Sequence, residues 1–247
     1  MILSVQTGSI LDPFGIDEGF RMIAEAGFGG VDINIDHCLP GSKIRAFDNS
    51  GFFDQTDEEI LEACRPYKEA ADKYGVKFCQ AHAPFPNYVK DDATNAYVLH
   101  AVKKCIMMCG YFGCPNLVIH PGYLPYAEKL TKQQEWDYNI AMYTALIPEL
   151  KPYGVTACLE NTFSSHRGKV VEAICSDPRE ANRYIDALNE IAGEEVFGFC
   201  LDVGHANLLG RDLCEFICAM GDRIKVLHVH DNNGVSDEHL FPYMGVH

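Results

Sequence analysis

Val196-Phe197-Gly198-Phe199-Cys200-Leu201-Asp202, followed by Val203-Gly204-His205-Ala206, is a nearly unbroken apolar run that stops on a carboxylate. A short continuous run of this kind reads as a strand buried on both faces, the situation of a parallel sheet. The same pattern recurs along the chain, at 2–6, 30–35, 76–82, 116–120, 156–160 and 224–230. Amphipathic stretches at 16–26, 57–74, 93–112, 132–150, 177–191 and 212–220 fall between the runs. Asp57, Asp177 and Asp212 are suitable helix starts, and Gly27, Gly75 and Gly154 suitable stops. The spacing therefore predicts seven strands alternating with helices.

Two architectures fit such alternation: an open doubly wound sheet, or a closed barrel. The first strand is followed by Thr7-Gly8-Ser9-Ile10-Leu11-Asp12-Pro13, which is not the glycine-rich phosphate turn of the open sheet. Polar residues instead terminate nearly every run, as in a TIM (β/α)8 barrel, where strand C-termini share one rim. The 247 residues suit one such domain over 1–247. Seven strands leave the eighth β/α unit to be supplied, since Tyr243-Met244-Gly245-Val246-His247 cannot provide it.

With 35 acidic against 20 basic residues the net charge is −15, which disfavours nucleic acid as a partner. The N-terminus has no basic leader, and no stretch approaches the roughly 20 apolar residues of a membrane helix, so no membrane and a cytoplasmic location are expected. The eleven cysteines include no C-x-x-C pair and read as buried reduced thiols; Cys105/Cys109 and Cys214/Cys218 sit at i, i+4 in apolar helical patterns.

The ionisable residues at the ends of the runs carry the chemistry. His82, His120, Glu160, Asp202 and His228 or His230 are remote in sequence, yet a barrel gathers them around one volume. Imidazole and carboxylate together suit a divalent ion such as Mn, Co, Mg or Zn. Such an ion can polarise a carbonyl or activate water. Glu160 and Asp202 could each bind such an ion, with His228 or His230 beside them, and Glu160 is also placed to accept a proton. Asp202 could instead cap the segment that follows it. His228 and His230 are two apart and share a side of the strand. Asp237 and His239 lie in the loop beyond. Loops 36–56, 83–92 and 123–131 are rich in aromatics, among them Phe53, Phe85, Tyr88, Tyr123 and Tyr126, which suit sugar faces or a homo-oligomer interface equally. Lys43, Arg45 and Arg167 could bind phosphate or be solvated charges.

The motifs L-E-N-T at 159–162, L-D-V-G-H-A at 201–206, H-V-H-D-N at 228–232 and D-E-H at 237–239 resemble those of the xylose-isomerase-like TIM barrel superfamily, which holds sugar and sugar-phosphate isomerases and epimerases together with endonuclease IV. In the epimerase branch the resemblance implies one divalent ion on Glu160, Asp202, His228 and a further glutamate of the eighth strand. Glu160 and that glutamate flank the substrate as acid and base, His205 contacts a sugar oxygen, and proton removal next to a carbonyl passes through a metal-stabilised enediolate. In the endonuclease IV branch it implies three zinc ions, with His82, His120, Glu160, Asp202, His205, His228, Asp237 and His239 where ligands fall, and abasic DNA as substrate. In either branch His82, His120, His230, Asp237 and His239 are candidates for substrate or additional metal contacts. A sugar isomerase or epimerase is the expected function, a zinc phosphodiesterase the alternative, and a non-catalytic barrel subunit a second alternative.

Overall fold

The computed structural model describes residues 2–246. The first elements are β1 (Ser4–Gln6), α1 (Gly8–Phe14), α2 (Ile16–Glu25), β2 (Gly30–Asn34), α3 (Gly41–Arg45), α4 (Asp57–Tyr74), β3 (Lys77–His82), α5 (Asp92–Phe112) and β4 (Asn116–Val118). They are followed by α6 (Lys132–Thr144), α7 (Ile147–Tyr153), β5 (Thr156–Glu160), β6 (Phe163–His166), β7 (Lys169–Glu172), α8 (Pro178–Ala192), β8 (Phe197–Asp202), α9 (Val203–Leu208), α10 (Leu213–Met220) and β9 (Ile224–His228). Contacts gather these elements into two compact units. One comprises the chain up to Phe85 with Lys90–Val118 and Pro148–Thr156; the other comprises Pro86–Val89, Ile119–Ile147 and the chain from Ala157 onward.

In the first unit β1, β2, β3 and β4 run parallel in that order. Gly30 is needed where β2 meets β3, because a Cβ there would lie 2.3 Å from the Cys79 sulfur. The core stacks Phe78 of β3 on Phe112 of α5, ring centroids 4.4 Å apart, with Phe20 of α2 edge-on at 6.0 Å. The start of α4 is fixed by Thr56, whose hydroxyl accepts from Glu59 N while the Glu59 carboxylate accepts from Thr56 N. Thr56 is therefore the cap, and Asp57 is the first helical residue.

In the second unit β5, β8 and β9 run parallel in that order. Every residue of β8 is buried, as its continuous apolar run requires. Tyr143 of α6 meets Phe197 edge-on, and Phe199 stacks on Phe216 of α10. Asp177 and Asp212 cap α8 and α10 as the sequence suggests, accepting from Arg179 N and Glu215 N. The antiparallel pair β6–β7, joined by Arg167-Gly168, is an addition to the alternating pattern.

Other expectations are corrected. The helix over 132–150 is two helices, because the ring of Pro148 clashes with the carbonyl four residues back, on Thr144, where α6 ends. Cys214 and Cys218 are exposed rather than buried, and Cys38 and Cys79 are half-buried. Helix α10 offers two i, i+4 apolar pairs, and Phe216 and Met220 take the core face, which turns the cysteines outward. The strands expected over 116–120 and 224–230 stop at Val118 and His228. No helix among the described residues is long and apolar enough to cross a membrane.

Asn189 ties the end of α8 to the start of β8. Its Oδ1 accepts from Val196 N and Phe197 N, and its Nδ2 donates to Phe197 O. Asn189→Leu takes the side-chain partner from Phe197 N and Phe197 O and leaves Val196 N only its bond to Glu194 O, and a loss of roughly 1–3 kcal/mol is expected in urea unfolding. An unchanged midpoint would show that the clamp does not set the position of β8.

Candidate metal centre and active site

The register of the second unit assembles the site. Glu160 at the end of β5 pairs with Cys200 of β8, and Asp202 at the end of β8 pairs with His228 of β9. Paired residues of parallel strands share a face, and so do residues two apart on one strand. Glu160, Cys200, Asp202 and His228 therefore project to one side. Both carboxylates are about as buried as a residue can be, each 1% exposed. His228 Nδ1 sits 3.4 Å from Glu160 Oε1 and 3.6 Å from Asp202 Oδ2. Ile119 N donates to Cys158 O. One residue further on, His120 Nε2 reaches Glu160 Oε2 at 2.9 Å.

Asp202 has two duties. Its Oδ1 accepts from His205 N at 2.7 Å and so caps α9, while its carboxylate also faces the imidazoles. The fully buried Asn161 holds it in place, with Oδ1 accepting from Asp202 N and Nδ2 donating to Asp202 O, both at 2.8 Å. The same residue's carbonyl lies 2.8 Å from His205 Nδ1. A proton on Nδ1 serves that bond and leaves Nε2 facing Asp237, 3.4 Å away. The edge of Phe163, at the root of β6, packs on the His205 ring with centroids 5.0 Å apart.

His230 follows β9, with Nε2 at 3.0 and 3.1 Å from the two Asp202 oxygens. Gly204 makes room for it, since a Cβ there would fall 2.0 Å from His230 Cε1. The His239 ring stacks on His230 at 4.0 Å, and its Nε2 lies 3.2 Å from Asp237 Oδ2. A backbone bridge between Asp231 and Leu240 closes this loop. Asn232 secures it to α9 by donating to Gly204 O and accepting from Asn207.

Electrostatics follow from burial opposed by imidazole. Burial pushes the Glu160 carboxyl up, but His120 and His228 outweigh it and hold the group well below the usual carboxylate range. Asp202 is likewise raised by burial, then brought to about 2 by His228 and His230. Burial lowers His205, yet Asp237, Asp202 and Glu160 carry it to about 9, and His228 stands well above its ordinary value. Burial keeps the Cys200 thiol protonated, pushed up to about 12. Two buried carboxylates facing several imidazoles are thus balanced by imidazole protons, and a divalent ion can replace those protons. Ligand atoms of Glu160, Asp202 and His205 lie within 4.8 Å of one another, as do those of Glu160, Cys200 and His228 and those of His230, Asp237 and His239. The donor set fits a cation that accepts nitrogen and oxygen.

The second unit therefore brings together His120, Glu160, Asp202, His205, His228, His230, Asp237 and His239. His82 belongs to the first unit, at the end of β3, where Nδ1 lies 2.9 Å from Ala83 O and the ring meets Phe85 edge-on. Lys43 is engaged by Asp48 and Ser50 O within its own loop. Asn161, Gly204 and Asn232 lie inside the quoted motifs and carry no charge, so a search for ionisable strand ends passes over them.

Residues 20–247 match the family described as xylose isomerase-like TIM barrel. A curated relative, an uncharacterized protein of Methanocaldococcus jannaschii, is 30% identical over 184 residues, which is 70% of this chain and 57% of the relative. The chain thus spans little more than half the length of that relative. Among solved structures, a D-tagatose 3-epimerase-like protein superimposes with a TM-score of 0.72 at 21% identity, covering 99% of this chain and 82% of its own. The IOLI protein with a binding zinc atom gives 0.72 at 19% identity, covering 99% and 80%. The parallel strands, the motifs that end them and these matches agree: the chain belongs to the xylose isomerase-like TIM barrel family.

Proposed function

We propose that the protein is a divalent-metal-dependent isomerase or epimerase of a sugar or sugar phosphate, moving a proton next to a carbonyl. The observation that carries this reading is the pair Glu160 and Asp202, each 1% exposed, with His228 Nδ1 within 3.4 and 3.6 Å of their oxygens. Two carboxylates are kept ionised out of water only by a strong local positive charge. The zinc of the IOLI protein and the epimerase-like relative, both of the same fold, support the assignment.

Glu160, Asp202 and His228 would hold the ion, which supplies polarisation of a substrate carbonyl when bound. Glu160 stays ionised across neutral pH, so one carboxylate oxygen can take the proton from the carbon next to the carbonyl and deliver it to the former carbonyl carbon, which is the isomerisation; epimerisation at the first carbon needs a second acid on its opposite face. His205, oriented through Nδ1 by the Asn161 carbonyl, presents Nε2 to a substrate oxygen. Phe163 offers an apolar edge beside it and shields one side of His205 from water.

One observation favours a second reading, a zinc phosphodiesterase. Asp237 Oδ2 lies between His205 Nε2 and His239 Nε2, at 3.4 and 3.2 Å, where a further ion could sit. The net charge of −15 weighs against a grip on duplex DNA.

Glu160→Gln removes the base and a charged ligand with almost no change of volume. Ketose turnover is expected to fall by about 10³-fold or more with the melting temperature nearly kept. His239→Ala is expected to cost less than about 10²-fold in turnover on this reading, the lower bound of a general acid–base contribution. Retained activity in the first variant would remove Glu160 from the role, and collapse of activity in the second would favour the multi-ion phosphodiesterase.

A pH prediction has a definite sign. His205 is raised in the folded protein, so its contribution to metal-free stability is complete below the ordinary histidine pKa and is lost as pH rises through about 9. Metal must displace imidazole protons, so its affinity rises over the same interval. Thermal melts from pH 6 to 10 should show the metal-free protein weakening while the stabilisation by added Zn or Mn grows. Stabilisation that shrinks with pH would contradict imidazole ligation.

A further inference from the structure

The hairpin β6–β7 carries a feature that the proton-transfer chemistry does not use. Its turn, Arg167-Gly168, has φ of +50° and +75°, the signature of a two-residue type I′ turn. Asn or Gly is the usual first residue of such a turn, and an exposed arginine with left-handed backbone gains nothing there from local structure. Lys169 follows and is also exposed. Among the described residues the side chains of Arg167 and Lys169 have no hydrogen bond or ion-pair partner. Glu172, the acid on the same hairpin, is already paired with Arg211.

The surroundings add to the positive charge. Lys169 pairs across the hairpin with His166, whose ring packs on Tyr126 at 4.6 Å, and Lys129 Nζ lies 4.2 Å over that same tyrosine ring. A chain with 35 acidic and 20 basic residues thus carries Arg167 and Lys169 on one hairpin tip, with Lys129 over the tyrosine on which the His166 ring packs and the exposed Glu128 as the acid next to that lysine. The root of the hairpin is fixed at the site, with Phe163 on the His205 ring and Tyr123 Oη donating to Phe163 O at 2.9 Å. The tip stands about 10 Å along the strand from that root, roughly the length of a small phosphorylated sugar, so the sugar rather than the side chains would bridge it.

We propose that this hairpin tip binds the phosphate group of a small phosphorylated sugar whose reacting end lies at the Glu160–Asp202 cluster. The inference rests on the isomerase reading for the identity of the sugar, and on the hairpin alone for the anion. A planar guanidinium and an ammonium at neighbouring positions match the oxygens of a terminal phosphate. The same chemistry would also meet a phosphate of a nucleic acid backbone, which the test must separate.

The experiment is calorimetric titration of the full chain with inorganic phosphate, comparing the parent, R167N and K169A. R167N places the residue that the turn itself prefers, so the melting temperature should hold or rise. The phosphate dissociation constant should weaken at least tenfold in R167N and several-fold in K169A. Unchanged affinity in both variants, or no phosphate binding by the parent, overturns the proposal. A ketose monophosphate should compete with inorganic phosphate with weak salt dependence. Tighter competition by a short DNA duplex, with a steep loss of affinity in salt, would overturn the small-sugar assignment. Because none of these readouts needs turnover, failure of every ketose as a substrate would reject the isomerase reading and leave the phosphate result standing.

Discussion

The second unit depends on one constraint: Glu160 and Asp202 must stay ionised, side by side and almost out of contact with water. Carboxylates so placed would ordinarily take up protons, since burial and a neighbouring negative charge both disfavour ionisation. The fold answers with imidazole on several sides, from His120, His205, His228 and His230. Much of the surrounding detail serves that arrangement. Asn161 grips both backbone groups of Asp202, Gly204 admits the His230 ring, and Asn232 anchors the loop that carries Asp237 and His239. Substituting any one of these removes a position rather than a charge, which is why neutral residues share the work with the ionisable ones.

The strand register is what converts distant sequence into one cluster. A shift of a single residue between β8 and β9 would turn His228 to the opposite face and break the set. The complete burial of β8 and the stacking of Phe199 on Phe216 hold that register through the hydrophobic effect. Packing in the core and charge at the rim are therefore coupled through the same strand.

Much of this was legible in the sequence because parallel strands buried on both faces leave continuous apolar runs, and the residues that end them stand out. The strands at 30–35, 76–82, 156–160 and 196–202 were found within a residue or two, and the polar residues closing the later ones became the cluster. Features lacking that contrast were not foreseen. Strands β6 and β7, F-S-S-H and K-V-V-E, are short, half-exposed and mostly polar, so their pairing depends on a turn with positive φ rather than on periodicity. Helix α9 hides behind the same Asp202 that reads as a ligand, because one carboxylate both caps and faces the site. The exposure of Cys214 and Cys218 could not be decided from an apolar helix whose two faces are nearly equivalent until Phe216 and Met220 claimed the core.

The proposal that the buried carboxylate–imidazole cluster holds a divalent ion can be tested directly. The direct measurement is metal content per chain by plasma mass spectrometry, on protein purified without chelator or affinity nickel, joined to X-ray absorption at the edge of the ion found. At least one tightly held divalent ion per chain is expected, with nitrogen and oxygen neighbours at about 2.0–2.2 Å as for His and carboxylate ligands to zinc, and Asp202→Asn is expected to lose it. A chain that retains no ion after reconstitution with Zn or Mn, or one whose ion is bound through sulfur at about 2.3 Å, would contradict that proposal.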